Sequence, residues 1–285
     1  MKLITSPEDM QRCSRSFRRE GKRLGFVPTM GALHAGHLSL VKAARGQSDC
    51  VAASIFVNPL QFGPNEDFGK YPRTFERDRQ LLLAEKVDVL FAPNVEAMYP
   101  EGAKTTVEVA ELSDRLDGKS RPGHFKGVAT VVNKLLNIVQ PDVAFFGQKD
   151  AAQVAVIRRM VRDLNMDVQI VVCPILRETD GLAMSSRNAY LDPLQRKQAL
   201  VLYRTLNRIQ FLADQGERSV DELIAAGKQV VAEEPGARLD YLEVVDPDTL
   251  EPVNDLARTA LVAIAAWVGT TRLIDNILLS TPAHR

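Results

Sequence analysis

The segment Pro28–His37, PTMGALHAGH, combines two histidines with two glycines between an apolar stretch and a helical one. His34 and His37 are three residues apart, so one helical turn directs both side chains the same way. Imidazoles can donate hydrogen bonds to phosphate oxygens as charge builds up during attack at phosphorus, and a helix N-terminus adds free N–H groups. Gly36 leaves space where a nucleotide would approach the backbone. Phosphate binding is therefore one interpretation of this segment.

Two other interpretations of the histidine pair stay open. The pair can be an ordinary hydrogen-bonded surface feature, or two ligands of a metal. A zinc site usually needs at least three protein ligands. No adjacent residue supplies a third one, and only His124 and His284 remain among the four histidines.

Two more polar segments directly follow apolar stretches. In FFGQKD, Gly147 permits close backbone approach, Lys149 can pair with a phosphate, and Asp150 can bond ribose hydroxyls. A strand-to-helix turn with a capping aspartate is the alternative. In FVNPLQFG, Asn58 and Gln61 can give neutral hydrogen bonds to a hydroxylated acid, although a proline-containing turn would also explain them.

Two further segments carry cationic groups. In MSSRN, the hydroxyls of Ser185 and Ser186 beside Arg187 can hold terminal phosphates, and a solvated surface loop is the alternative. In RPGHFKGV, Arg121 and His124 can bind a carboxylate, and a solvent-facing loop is again the alternative.

The elements that position these residues follow from the apolar pattern. Five apolar segments, separated by helical patterns, predict βαβ units and a parallel sheet. Ligands of open parallel sheets bind beyond the carboxyl ends of the strands. Three of the polar segments fall at such ends, so we expect them to share one cleft. The predicted strands are 24–28, 51–57, 87–92, 143–146 and 167–172, and the helix after the first strand is predicted to begin at about His37.

The pattern changes after about residue 176. Helices are predicted over 192–233, and stretches at 239–245, 262–268 and 271–276 indicate a small antiparallel set. We therefore predict two domains, an α/β domain over residues 1–176 and a smaller α+β domain over residues 177–285.

Composition narrows the class of protein. The 36 basic residues equal the 36 acidic ones, which argues against a nucleic-acid partner. Three cysteines far apart suit a reducing compartment and provide neither a disulfide framework nor a cysteine-based metal site. No signal-peptide pattern follows Met1, and the most apolar stretch, 259–268, is too short to span a membrane. We expect a cytoplasmic protein with no nucleic-acid or membrane partner.

Together these segments resemble the pantothenate synthetase family over nearly the whole chain. The resemblance is far more specific than HxGH alone, which many nucleotidylyltransferases and class I aminoacyl-tRNA synthetases share. It implies a Rossmann-like N-terminal domain, a smaller C-terminal lid domain and a homodimer. It also implies a ligase that makes pantothenate, AMP and pyrophosphate from pantoate, β-alanine and ATP, with Mg²⁺ required. The matching stretches are PTMGALHAGH, FVNPLQFGPNEDFGKYPRT, RPGHFKGVATVV, FFGQKD and DGLAMSSRNAYL.

The resemblance also implies roles for individual residues. His34 and His37 are expected at the ATP phosphates, and Lys149 at the α-phosphate. The β- and γ-phosphates are assigned to Ser185, Ser186 and Arg187. Other implied contacts are Asn58, Gln61 and Gln153 with pantoate, Met30 packing nearby, Gly147, Asp150, Leu176 and Met184 around the nucleoside, and Arg121 and His124 near the β-alanine entry. None is expected to be a dedicated metal ligand.

Three rival functions fit parts of the same sequence. A nucleotidylyltransferase would stop at adenylyl transfer and form no amide. A regulatory protein would bind a nucleotide on the same fold without turnover. A tRNA-charging enzyme is the third, and the zero net charge and short length argue against it.

Overall fold

A computed structural model describes residues 1–64 and 66–280, so His284 lies outside the described residues. Its main sheet has six parallel strands in the order β1-β4-β3-β2-β5-β6. The five strands predicted for this sheet are confirmed. The three-residue β1 was not predicted, because so short an edge strand has no distinctive pattern. The strands are β1 (Lys2–Ile4), β2 (Leu24–Thr29), β3 (Cys50–Ile55), β4 (Val89–Phe91), β5 (Val143–Gly147) and β6 (Gln169–Cys173).

Helices connect these strands and cover the sheet. Central strands β2 and β3 are buried almost throughout, as expected for a parallel sheet with both faces covered. At the first helix, the side chain of Ser6 accepts the Asp9 N–H, and proline and acidic residues fill the first turn. The helices of this part are α1 (Pro7–Arg19), α2 (Ala35–Gln47), α3 (Phe75–Ala84), α4 (Val95–Met98), α5 (Asp117–Ser120), α6 (His124–Val139) and α7 (Ala151–Asp163).

The strand order reverses beside β2. From β2 the chain continues outward through β3 and β4 on one side, and later returns to place β5 and β6 on the other. This is a topological switch point, where ligands of open α/β sheets bind. Thr29 ends β2 and Gly147 ends β5, so the segments that follow them face each other across the crevice.

Up to residue 280, the C-terminal part has three helices, within the predicted helical stretch, and the predicted small antiparallel sheet, which has three strands. The helices are α8 (Pro193–Gln198), α9 (Leu200–Asp214) and α10 (Val220–Ala232), and the strands are β7 (Ala237–Val245), β8 (Ala260–Val268) and β9 (Thr271–Leu279). Alternate residues of β8 point to opposite faces. Val262 and Ile264 pack with α9 and α10, whereas Leu261 and Ala263 join the core of the main sheet. The two parts share a core, and the domain boundary near residue 176 stays a prediction.

Two details differ from the sequence-based expectation. The segment after Arg121, treated as a possible solvent-facing loop, forms the first turns of α6 from His124 onward. Helix α2 begins at Ala35, two residues before the expected His37, because His34 itself caps the helix. Across residues 1–64 and 66–280, no helix has the length and apolar character needed to cross a bilayer.

Candidate active site

A cleft with a cavity of about 230 Å³ lies at the carboxyl ends of β2 and β5. A second space of about 730 Å³ lies towards β9 and shares Arg121, His124, Lys149 and Arg187 with it. All the site residues predicted from the sequence except Asn58 line the first cavity. They are Met30, His34, His37, Gln61, Arg121, His124, Gly147, Lys149, Asp150, Gln153, Leu176, Met184, Ser185, Ser186 and Arg187.

His34 and His37 form a reciprocal cap at the start of α2. Nδ1 of His34 accepts the Gly36 N–H at 3.1 Å, and Nδ1 of His37 accepts the His34 N–H at 3.4 Å. The ring centroids are 4.1 Å apart. Because a nitrogen that accepts carries no hydrogen, each neutral ring holds its proton on Nε2. Both rings therefore keep an N–H available for a ligand.

The two imidazoles are neutral at physiological pH. Burial, with the nearby Lys149 ammonium, lowers the pKa of His34 to about 4. Burial, with the neighbouring His34, lowers the pKa of His37 to about 3. No group of three or more His, Cys, Asp or Glu side chains is arranged to hold a metal within the described part of the chain. The zinc interpretation of the pair therefore lacks the further ligands it needs.

Gly36 makes room for the ring of His34. A Cβ atom at this position would lie 2.8 Å from Cε1 and 2.9 Å from Nδ1 of that ring. The sequence-based expectation was space for a nucleotide. The structure gives a more local reason, which is that the cap formed by His34 requires a residue without a side chain two positions later.

Asp78 of α3 holds the loop that precedes His34, and sequence reasoning missed it. Its fully buried carboxylate accepts the N–H groups of Ala32 at 2.8 Å and Leu33 at 2.9 Å. The hydroxyl of Thr74 donates to it at 3.1 Å. Ala32 has a positive φ of 49°, so these bonds stabilise a loop conformation that an L-residue seldom adopts. Nothing in the charge-rich sequence of α3 distinguishes this aspartate.

Asn58 lies behind Gln61 and does not line the cleft, so the predicted contact of its side chain with substrate is not formed in this arrangement. Its side chain is fully buried, and its Nδ2 donates to Oε1 of Gln61 at 3.0 Å and to the Gly127 carbonyl at 3.1 Å. The Tyr99 hydroxyl donates to its Oδ1 at 2.8 Å. Since Oε1 of Gln61 is already an acceptor, Gln61 has its Nε2 donors left for the cleft.

Gly127 lets α6 approach the turn that carries Gln61. A Cβ atom there would lie 2.1 Å from the Leu60 carbonyl oxygen and 2.8 Å from the Gln61 nitrogen. Both are backbone atoms, which cannot move aside like the end of a flexible side chain. Only glycine therefore permits this packing.

Arg121 and His124 are engaged with protein groups. The Arg121 guanidinium donates to both carboxylate oxygens of Glu66, at 2.8 and 2.6 Å. His124 donates from Nδ1 to the Gln61 carbonyl at 2.8 Å, which leaves Nε2 to accept from Arg121 at 3.0 Å. Burial, with the adjacent Arg121, lowers the pKa of His124 to about 4. These residues form part of the wall around Gln61.

Lys149 reaches the cleft from the turn between β5 and α7. Its Nζ lies 3.5 Å from Oδ1 of Asp150. Asp150 precedes α7 but makes no capping bond with its side chain, so the capping alternative does not account for it. The backbone of this turn is held by Asn276 of β9, whose Nδ2 donates to the carbonyls of Gln148 at 3.0 Å and Lys149 at 2.9 Å. Sequence reasoning missed Asn276.

The segment Ser185–Arg187 covers the cleft from the opposite side. Ser185 accepts the Arg187 N–H at 3.2 Å, and Ser186 donates to the Ala32 carbonyl at 3.2 Å. The Arg187 guanidinium forms two bonds with the Asp67 carboxylate, at 3.3 and 3.2 Å. A guanidinium that pairs in this forked way with a carboxylate has the geometry to pair with a phosphate.

Donors from separate elements thus converge on one cleft. The imidazoles stand at the end of β2, the ammonium at the end of β5, and the guanidinium on the facing segment. Such an arrangement can bind a polyanion and stabilise negative charge that grows during a reaction.

Comparisons with known proteins agree with this geometry. The family model described as Pantoate-beta-alanine ligase matches residues 2–278. Pantothenate synthetase from Koribacter versatilis is 63% identical over 284 residues, which cover 100% of this chain and 98% of that protein. Pantothenate synthetase from Thermotoga petrophila is 56% identical over 279 residues, which cover 98% of this chain and 100% of that protein.

Solved structures give the same result. The crystal structure of pantothenate synthetase from Thermus thermophilus has a TM-score of 0.92 and 48% identity, covering 97% of this chain and 99% of that one. Pantoate-beta-alanine ligase from Francisella tularensis, complexed with beta-gamma ATP and beta-alanine, has a TM-score of 0.80 and 37% identity. The match covers 98% of this chain and 97% of that one. From its sequence and its fold, this chain belongs to the pantoate-beta-alanine ligase family.

Proposed function

We propose that this ligase condenses (R)-pantoate with β-alanine through a pantoyl-adenylate intermediate. ATP is consumed, and AMP and pyrophosphate are released. The observation that carries the proposal is the convergence of His34, His37, Lys149 and Arg187 on one cleft at the switch point of the sheet. The ATP and β-alanine named for the Francisella tularensis relative support the choice of substrates.

In the first step, a carboxylate oxygen of pantoate attacks the α-phosphorus of ATP, and the bond to pyrophosphate breaks. No protein nucleophile is needed, so catalysis is positioning and charge stabilisation. His34 and His37 donate from Nε2 to phosphate oxygens. Lys149 stabilises the negative charge around the α-phosphate.

Terminal phosphates bind at the facing segment. Ser185, Ser186 and Arg187 hold the β- and γ-phosphates. Arg187 then exchanges its bonds with Asp67 for bonds to phosphate oxygens, which have the same forked acceptor geometry. The nucleoside lies among Gly147, Asp150, Leu176 and Met184, which line the same cleft.

Pantoate binds beside the turn after β3. Gln61 donates from Nε2, and Gln153 contributes a second amide from α7, with Met30 packing nearby. Asn58 acts through Gln61, because its own side chain is buried behind it.

In the second step, the β-alanine amine attacks the acyl carbon, the acyl C–O bond of the anhydride breaks, and AMP leaves with the bridging oxygen. The amine must be neutral to attack, and the departing phosphate is an acceptor for its proton. His124 is not the base in this scheme, since Nδ1 donates to Gln61 and Nε2 accepts from Arg121. His124 and Arg121 shape the β-alanine entry. Closure of the C-terminal part over the cleft shields the mixed anhydride from water.

Mg²⁺ fits this site as an ion that arrives with ATP. Within the described residues no cluster of three protein ligands is present, and Mg²⁺ at phosphates typically keeps several waters and takes one or two carboxylates. Asp150 is the carboxylate beside Lys149 that would reach it. When bound, the ion would neutralise phosphate charge and ease the departure of pyrophosphate.

We extend the proposal to a homodimer in the cytoplasm, with residues 1–176 and 177–285 as its two domains. The family resemblance supports the dimer and the domains, and three widely spaced cysteines support the cytoplasmic location. Sedimentation equilibrium of the purified chain tests the dimer, and a single species at 31.5 kDa would contradict it.

Pantoate-dependent exchange of pyrophosphate into ATP tests the first step. We expect exchange in wild type only when pantoate is present. Lys149→Ala should slow this exchange by several hundred-fold, which is about the effect of removing one preorganised hydrogen-bond donor from an enzyme active site. Lys126→Ala is the matched control, because this lysine of α6 makes an exposed pair with Glu108. Near-normal exchange in Lys149→Ala would contradict the role given to this ammonium.

Release of AMP tests the second step and separates the rivals. We expect AMP release from enzyme, ATP and pantoate to depend on β-alanine and to yield pantothenate in equal amount. Pyrophosphate release without amine-dependent AMP release would instead identify a nucleotidylyltransferase. ATP binding with no pyrophosphate from any tested acid would identify a non-catalytic nucleotide-binding protein.

A further inference from the structure

Two adjacent polar residues interrupt the apolar strand β9. Asp275 and Asn276 are each 3% exposed, within the strand sequence TRLIDNILL. Neighbouring residues of a strand point to opposite faces. Asn276 pairs with Ala263, which packs on the core of the main sheet, and Asp275 pairs with Ile264, which packs with α9. The strand therefore presents one buried polar group to each side.

Asn276 faces the turn that carries Lys149. Its two amide hydrogens are donated to the carbonyls of Gln148 and Lys149, and its Oδ1 accepts from Nε2 of Gln148 at 3.0 Å. An asparagine amide has two donors and one acceptor oxygen, and this turn engages all of them. Asn276 itself does not line the cleft.

Asp275 faces the base of the segment that carries Arg187. Its carboxylate accepts from Arg177 at 2.6 and 3.0 Å, and Arg177 also donates to the Gly181 carbonyl at 3.1 Å. A bridge between Arg177 and Ala183 closes this turn, two residues before Ser185. The Arg177 guanidinium stacks 4.8 Å from the ring centre of Tyr203 of α9. Asp275 thus anchors the stem from which Ser185–Arg187 projects.

We propose that Asp275 and Asn276 are positioning residues that set the distance between the two phosphate-binding segments. Asn276 acts through Lys149, and Asp275 acts through Arg177 and the segment Ser185–Arg187. The inference depends on the proposed function, because it assigns both segments to one ATP molecule. A displacement of about 1 Å at a catalytic group can cost 10²-fold in rate. Loss of either anchor is therefore expected to lower the rate of the chemical step.

The test for Asn276 is a double-mutant cycle with Lys149. We expect Asn276→Ala to lower kcat of pantoate-dependent pyrophosphate exchange by about 10- to 100-fold, with the KM for pantoate unchanged. In the Lys149→Ala background the same substitution should have no further effect, since residues that act as a unit are non-additive. Asn276→Ser keeps one donor, so its kcat should lie between those of wild type and Asn276→Ala. The same measurement is made on Asn276→Ser if the alanine variant does not fold.

The test for Asp275 uses the same cycle with Arg187. We expect Asp275→Asn to raise the KM for ATP by about 10-fold, and to do so only while Arg187 is present. Arg115→Ala is the control for a contact between the same two parts of the molecule, because Arg115 bonds the Leu250 carbonyl and Glu251 outside the cleft. It should leave both kinetic constants unchanged.

The outcomes separate the inference from the proposed function. A purely structural role for Asn276 would lower Tm and the fraction of active enzyme, and its effects would add fully to those of Lys149→Ala. That additivity would overturn the inference while leaving the proposed function intact. If the wild type itself shows no pantoate-dependent exchange, the proposed function fails; if only Lys149→Ala leaves exchange unchanged, the role of Lys149 fails and the inference for Asn276 fails with it.

Discussion

The chemistry of individual side chains here depends on which nitrogen of each histidine carries the proton. His34 and His37 accept backbone N–H groups at Nδ1, so they donate from Nε2. His124 has the opposite tautomer, because its Nδ1 donates to a carbonyl. The backbone groups around each ring therefore set its tautomer, and the tautomer determines which histidines have an N–H free to donate to an anion.

The lowered pKa values predict how stability changes with pH. The usual histidine pKa is 6.5, and it is about 4 for His34 and about 3 for His37 in the folded protein. Below pH 6.5 the unfolded chain takes up protons that the folded protein does not. The free energy of unfolding should therefore be greatest above this pH and fall as the pH is lowered towards 4. Between pH 7 and pH 5 we expect a loss of about 2 kcal/mol per histidine.

Urea unfolding of wild type and His37→Gln at both pH values measures this effect. The variant lacks one such group, so its stability should change less with pH. An equal change in the two proteins would show that His37 is not held neutral by the fold. Pyrophosphate exchange should show no break from these imidazoles between about pH 6 and pH 8, since neither titrates there.

At the scale of elements, close packing between α6 and the turn after β3 sets the position of Gln61. Gly127 allows that contact, since a Cβ atom would meet the backbone of Leu60 and Gln61. Asn58 then ties the Gln61 amide to the Gly127 carbonyl. The helix and the turn therefore behave as one support for the predicted pantoate-binding amide.

Gly127→Ala should lower the free energy of unfolding by about 3 kcal/mol, because overpacking against backbone atoms forces the two elements apart. The KM for pantoate should rise in the same variant, as Gln61 moves with its turn. Gly46→Ala on α2 is the control, since nothing lies within 4 Å of its added Cβ. That change should stabilise the protein by about 0.5–1 kcal/mol. Thermal unfolding and steady-state kinetics measure both effects, and an unchanged KM in Gly127→Ala would contradict the coupling.

The sequence predicts the helices, the strands and the residues that line the cleft better than it predicts the buried residues that hold those lining residues in place. Strands such as β3 are apolar runs, and Lys149 and Arg187 lie in distinctive local motifs, so pattern and resemblance found them. Asp78 and Asn276 were missed because their partners are far away in sequence, 46 residues from Asp78 to Ala32 and 128 from Asn276 to Gln148. The one local sign was two polar residues within the apolar β9. Asn58 was assigned to substrate because nothing local shows that Gln61 stands in front of it.

At the scale of the molecule, a buried ionic junction joins the two parts. Arg272 of β9 donates to Asp240 of β7 at 2.9 and 2.8 Å and to Asp117 of α5 at 2.6 Å. The Arg272 side chain is only 12% exposed. The two carboxylates come from different parts of the chain, so this guanidinium neutralises charge on both sides of the junction.

Arg272→Ala should lower the free energy of unfolding by about 3–5 kcal/mol, because it leaves the buried Asp117 and the partly buried Asp240 without a counter-charge. Arg204→Ala removes a pair with Glu234 in which the arginine is 54% exposed, and should cost less than about 1 kcal/mol. Chemical denaturation of both variants measures the difference. Equal losses would mean that the junction contributes no more than a surface pair.

The contact of β9 with the Gln148–Lys149 turn also has a consequence for the order of events during protein synthesis. The turn leaves the ribosome 128 residues before the asparagine that fastens it. Because the strands of the parallel sheet all precede residue 174, a nascent chain can pair them while Lys149 still lacks its anchor. The capacity to adenylate pantoate should therefore appear late in translation, after the strands of the parallel sheet have been synthesised.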